Sequence, residues 1–176
     1  MSTPSLLLNH FREVVLVDTE FRPCGDGTQE VRCVCALELA SGREHRLWCD
    51  APALCPYPID LGSLFVAHYA SAELLSHDSL GWTRPANVLD TCVEFAAMTA
   101  GMRRPDQGRS LPGALTYFSL PHIDQEEKDE MRALALVDKR NHDFDKAERS
   151  ALLDYCWSDV VGIVNLLTRL ESFLCL

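Results

Sequence analysis

The chain has 176 residues, of which 47% are hydrophobic and 24% charged, the mix of one ordinary globular domain with a core large enough to need no staples. Its net charge of −10 argues against broad electrostatic adhesion to duplex nucleic acid and leaves room for a short, local footprint or for affinity lent by a partner. No apolar run approaches the roughly 20 residues that span a bilayer, and the first residues lack the basic segment of a signal peptide, so a cytoplasmic protein with no membrane contact is expected.

In chain order, EVVLVDT (13–19) reads as a strand apolar on both faces, as in the covered centre of a sheet. VRCVCALEL (31–39) is a second strand, Ser41-Gly42 a turn, and EHRLWC (44–49) the returning third strand. A proline-rich connection covers 50–62. SLFVAH (63–68) reads as a fourth strand, followed by a short helix at 70–77. ANVLDT (86–91) is strand-like and runs into a helix ending near Thr99. A loop rich in Gly, Pro and Arg follows at 101–113, then helical patterns at 112–119, 124–138 and 146–174. Asp145, with Glu148 three residues on, has the capping-box spacing for the last helix. The order implies an α/β domain with a mixed sheet and a helical C-terminal half. The eight cysteines lie mostly in apolar stretches and read as buried thiols. Neither Cys33 with Cys35 nor Cys49 with Cys55 has the spacing of a zinc site.

Three features carry chemistry. Asp18 and Glu20 close the first strand at i and i+2, so both carboxylates project from one face. Two adjacent anions at a buried strand are costly to desolvate, and a divalent cation removes that cost. Tyr155 and Asp159 stand at i and i+4 on the last helix, on one face. Between them, FVAHYASAELL (65–75) presents Glu73 just after a middle strand. Each feature alone is common; their order makes a constellation.

That constellation resembles the DEDD exonuclease superfamily, in its tyrosine-containing branch, which includes the proofreading domain of family A DNA polymerases and ribonuclease D. The likeness spans about residues 13–170. VDTE matches the first motif and Tyr155-Cys-Trp-Ser-Asp159 the third. His142 has Ala147 where the histidine branch needs an acid. The second motif departs from the family: Tyr69, Ala72 and Glu73 stand where Asn, Phe and Asp are usual. Asp90 is a secondary candidate for the missing acid, although the family's acid there is more often structural.

The resemblance implies a ribonuclease H-like fold and two-metal hydrolysis at the 3′ end of single-stranded DNA or RNA, with DNA favoured. Asp18, Glu20, Glu73 and Asp159 would hold two Mg2+ or Mn2+ ions, and Tyr155 would orient the attacking water. Oxygen-only ligands suit those metals. Phe21 and Arg22 are candidate contacts to the terminal base and phosphate. Arg103 and Arg104, with Arg109, are candidate guides for the strand. DQEEKDE (124–130) reads as a solvated helix start and Trp157 as core, while His77, one turn after Glu73, reads more readily as a surface residue than as an additional ligand. With no appended domain in sight, a stand-alone trimming enzyme or one working with a separate partner protein is expected. Two other readings stay open. One is a degenerate exonuclease fold used as a binding or scaffold module. The other is an oligoribonuclease-like enzyme for very short RNA, which high negative charge suits.

Overall fold

A computed structural model describes residues 5–102 and 108–174. Five strands form one mixed sheet: β1 (Glu13–Pro23), β2 (Gln29–Glu38), β3 (Glu44–Trp48), β4 (Ser63–Ala67) and β5 (Val88–Asp90), in the order β3-β2-β1-β4-β5. The first three strands pair antiparallel, and β4 and β5 join β1 in parallel. The helices are α1 (Ser5–His10), α2 (Ala70–Ser79), α3 (Thr91–Met98), α4 (Leu111–Tyr117), α5 (Gln125–Ala135) and α6 (Lys146–Leu170), with a 3-10 turn at Glu171–Phe173. Sequence reading places these elements in the right order. It misses α1, and it ends β1 four residues early.

β1 is the strand from which the site is built. Val14 and Leu16 face a core formed with α6, through Leu152, Cys156, Val160 and Ile163. Val15 and Val17 face a second core with Tyr57, Ala70 and Trp82. Period-two alternation then carries Asp18 and Glu20 to the α6 side and Thr19 to the other. There Thr19 Oγ1 meets Ser76 Oγ of α2 at 3.0 Å, and Ser76 in turn donates to Gln29 Oε1 at 2.6 Å. This buried polar link fixes the helix that carries Glu73 against the strand that carries Asp18.

The β1–β2 register slips between Glu20 and Phe21: Glu20 faces Cys33 and Phe21 faces Val31, so Arg32 has no partner across the ladder. Such a bulge turns two consecutive side chains to one side. Arg32 is wholly buried. Its Nε donates to the Ala135 carbonyl at 3.0 Å, another of its nitrogens reaches the Val137 carbonyl, and its guanidinium lies 5.1 Å from the Phe144 ring centre. The bulge thereby ties the end of α5 to the sheet.

α6 starts with the expected capping box, Asp145 with Glu148. By length and composition it could cross a bilayer; here it packs on β1, β2 and β3. The proline-rich connection also covers a sheet face. Tyr57 from it is buried, and its hydroxyl shares a 2.8 Å hydrogen bond with His77 Nε2, while Trp82 Nε1 donates to the Ala53 carbonyl at 2.6 Å. His77 is therefore a fully buried core residue and not the surface histidine its sequence suggests.

Candidate active site

Asp18 and Glu20 from β1 and Asp159 from α6 each offer a carboxylate oxygen, and these three atoms lie within 4.8 Å of one another. The i, i+4 spacing sets Tyr155 one turn before Asp159 on the same face of α6, and Tyr155 is buried. Glu73, in the first turn of α2, is 4% exposed. Its Oε2 and the Oδ2 of Asp18 are buried without a hydrogen-bond partner among the described residues. Buried carboxylate oxygens seldom go unsatisfied, so two at one site mark a place that wants positive charge.

The electrostatics agree. Burial, then the charge of Asp159, holds Asp18 well above the ordinary carboxylate range. Burial, then Asp18, does the same to Glu20 and to Glu73. Asp159 is raised by burial and drawn back by Lys128, whose Nζ lies 3.4 Å from its Oδ2. Burial and the neighbouring acids lift the Tyr155 hydroxyl far above its usual range, so it keeps its proton at neutral pH. Asp18, Glu20 and Asp159 crowding one another at the end of a central strand, with Glu73 of α2 near enough to feel the charge of Asp18, fit a bound divalent cation, and an all-oxygen donor set fits magnesium or manganese.

Asp18, Glu20 and Asp159 open into a cleft of about 320 Å3 that Phe21, His68, Tyr69, Lys128, Arg132 and Tyr155 also line, whereas Glu73 lies buried outside its lining. Lys128 and Arg132 come from α5, one turn apart. From the sequence, 124–130, which includes Lys128, reads as a solvated helix start whose acids favour the positive end of the helix dipole, and Arg132 is not singled out. The i, i+4 spacing of its two basic residues is the one available signal.

Of the other candidates, Asp90 is not free to bind a metal. Its Oδ1 accepts from the backbone N–H groups of Cys92 (2.9 Å), Val93 (3.4 Å) and Tyr69 (3.0 Å), and its Oδ2 from that of Ala70 (2.9 Å). It caps α3 and pins the turn into α2, a structural role. Arg22 does not reach the cleft: its guanidinium is paired with Glu30 at 3.5 Å and Asp138 at 3.3 Å. Arg103 and Arg104 lie outside the described residues. The carbonyl of Arg109 accepts from His68 Nε2 at 2.9 Å.

Among solved structures, the catalytic core of RRP6 from Trypanosoma brucei superposes with a TM-score of 0.63 at 16% identity, covering 97% of this chain and 43% of that one. NrnC from Brucella melitensis with bound Mg2+ gives 0.63 at 17% identity, covering 94% and 75%. Escherichia coli RNase D, an exoribonuclease, gives 0.53 at 17% identity, covering 96% and 43%. The fold is the ribonuclease H-like exonuclease fold. The chain thus spans less than half the length of two of these structures. No protein-family model and no curated sequence matches it.

Proposed function

We propose that the protein is a metal-dependent 3′→5′ exonuclease acting on single-stranded nucleic acid ends. The observation that carries this reading is the acid cluster itself. Asp18, Glu20 and Asp159 gather oxygens within 4.8 Å, with the orphaned oxygens of Asp18 and Glu73 beside them, at the end of the central strand of an exonuclease fold. Asp18, Glu20, Asp159 and Glu73 would hold two divalent cations, Mg2+ or Mn2+. Such ions, when bound, neutralise charge developing on a phosphoryl group and make water a nucleophile at neutral pH.

The chain's own side chains do the rest. Tyr155 would orient the attacking water by hydrogen bonding, a role that its phenol, protonated at neutral pH even at its ordinary pKa of about 10, can fill. Lys128 places an ammonium beside Asp159, where a substrate phosphate can exchange for the carboxylate as its partner. Phe21 offers an apolar wall to the terminal nucleotide. Sequence reading favours DNA, but two similar structures hold other ligands: RNase D of Trypanosoma brucei is in complex with RNA U12, and NrnC is bound to pGG. Either polymer fits the acid cluster, and short or frayed ends suit a chain of net charge −10. Cys24, Cys33, Cys35, Cys49, Cys55 and Cys156 are thiols outside any disulfide, in keeping with a reducing, cytoplasmic setting.

The test is a gel assay on 5′-labelled single-stranded DNA and RNA of matched sequence, with magnesium, manganese or EDTA. A metal-dependent ladder that Asp18→Ala abolishes is expected. Cleavage that survives Asp18→Ala in a clean preparation would sink the assignment. A second reading, a degenerate binding module, draws on Lys128, which already supplies positive charge to the acids. It requires that manganese neither bind nor raise the melting temperature.

A further inference from the structure

Tyr69 stands where three features meet that together ask for an explanation. Its backbone is left-handed, with φ 74° and ψ 51°, a conformation in which glycine or asparagine is the ordinary choice because a bulky side chain is disfavoured. Its side chain is 63% exposed, so burial of the ring does not compensate for the backbone. And it lines the acid-bearing cleft together with Phe21 and Lys128.

The unusual conformation is firmly held. Both oxygens of Asp90 take up the N–H groups of Tyr69 and Ala70. The Tyr69 carbonyl accepts from Ala72 N at 3.0 Å. The preceding His68 is pinned at both ring nitrogens, to Thr91 Oγ1 at 3.0 Å and to the Arg109 carbonyl. A strained residue persists where its surroundings over-determine it, and such residues gather at ligand sites. Tyr69 also borders a second cleft, which Asp90, Val93, Arg109 and Ser110 line. The ring therefore stands on the ridge between the acids and the neighbouring surface.

On the exonuclease reading, a strand whose last phosphate lies at the acids must leave the cleft, and a path over this ridge brings a base onto the ring. We propose that Tyr69 is a nucleobase platform: its exposed ring stacks on a base within the last two nucleotides of the bound 3′ end. The ligand class is a single-stranded oligonucleotide of any sequence, since every base has a π-face. An acidic chain has particular need of such a contact, because stacking does not draw on phosphate attraction as Lys and Arg contacts do. This inference rests on the proposed exonuclease site for its substrate, and its test separates the two.

The experiment measures binding of a 5′-fluorescein octanucleotide by anisotropy with calcium. One octanucleotide is intact, one is abasic at the last two positions, and one is abasic at positions five and six from the 3′ end. Wild type is expected to bind the intact end about five- to 150-fold more tightly than the abasic end, with little loss for the internal abasic pair. Tyr69→Phe should keep that preference. Tyr69→Asn, which tolerates the left-handed backbone, should erase it without lowering the melting temperature. A preference that survives Tyr69→Asn, or none in wild type, overturns the platform. Metal-dependent cleavage by wild type is followed in parallel. A Tyr69-dependent preference without cleavage keeps the platform and sinks the nuclease, and cleavage without the preference does the reverse.

Discussion

The thiol of Cys156 donates to the backbone carbonyl of Asp18 at 3.2 Å. Cys156 is wholly buried and lies three residues before Asp159, so this contact joins the helix bearing one acid to the strand bearing another at the level of the site. The neighbouring thiols act alike: Cys33 donates to the Leu152 carbonyl at 3.8 Å and Cys35 to that of Leu153 at 3.5 Å. These weak bonds fix the seating of α6 on the sheet where the acids must meet.

Cys156→Val should therefore lower stability by about 1 kcal/mol through the lost donor and weaken manganese binding several-fold. Cys156→Ser, which keeps a donor, should bind manganese better than the valine variant at similar stability. Isothermal titration on both variants checks this. Equal affinities for valine, serine and wild type would show that the thiol contact does not position the acids.

Stability without metal should fall as pH rises. Burial and mutual repulsion raise Asp18, Glu20 and Glu73 above the ordinary range. A carboxyl with a raised folded pKa holds its proton more tightly when folded. Its contribution is fully present below the unfolded value of about 4 and is lost as pH climbs through the folded one. In EDTA, the stability of wild type relative to Asp18→Asn should thus decline from about pH 4 to neutrality. Manganese at a hundred times its Kd should return about 2.7 kcal/mol at pH 7, a rise of roughly 5–10 °C for a domain of this size, and should do little for Asp18→Asn. Thermal melts across pH read both effects. A wild-type melting temperature that climbs relative to Asp18→Asn with pH in EDTA would contradict the sign.

Lys128 gives two opposite expectations. Its ammonium neutralises Asp159 at 3.4 Å and lies 5.8 Å from the Tyr155 ring centre, so it competes with a cation for that carboxylate. Lys128→Met should bind manganese at least as tightly as wild type. It should nevertheless cleave oligonucleotides less well, by about tenfold in kcat/KM, which corresponds to about 1.4 kcal/mol of lost phosphate contact. Metal affinity and activity falling together would make Lys128 a structural partner only.

The sequence made some of this site legible and hid the rest for identifiable reasons. Strand alternation is local, so the apolar run before Asp18 was enough to put Asp18 and Glu20 on one face, and helical spacing did the same for Tyr155 and Asp159. The partner across the gap depends on how α6 crosses the sheet, which no local pattern encodes. The bulge at Arg32 has no periodic signature; it appears only as a register slip between strands. Lys128 was hidden because α5 carries charge on all sides, and its position depends on the Arg32 bonds to the end of that helix. His77 read as exposed because the segment that covers it, with Tyr57, looks like an irregular connection. Arg22 follows the acids in sequence, yet Glu30 and Asp138 draw it away in space.

Glu73 and Asp90 are the two acids the sequence leaves in competition, and their carboxylates have different surroundings. Glu73 has a buried oxygen with no donor among the described residues, whereas four backbone N–H groups occupy the carboxylate of Asp90. Removing charge from Glu73 removes an uncompensated burial cost. Glu73→Gln should hold or raise the melting temperature in EDTA while weakening manganese binding at least tenfold. Asp90→Ala removes the cap of α3 and the anchor of the Tyr69 turn. It should cost about 1–2 kcal/mol of stability and leave the number of manganese ions bound per chain unchanged. Calorimetric titration with parallel melts on the two variants separates a metal ligand from a cap. If Asp90→Ala loses a bound ion while Glu73→Gln keeps the full number, the roles are reversed and the second metal position belongs to Asp90.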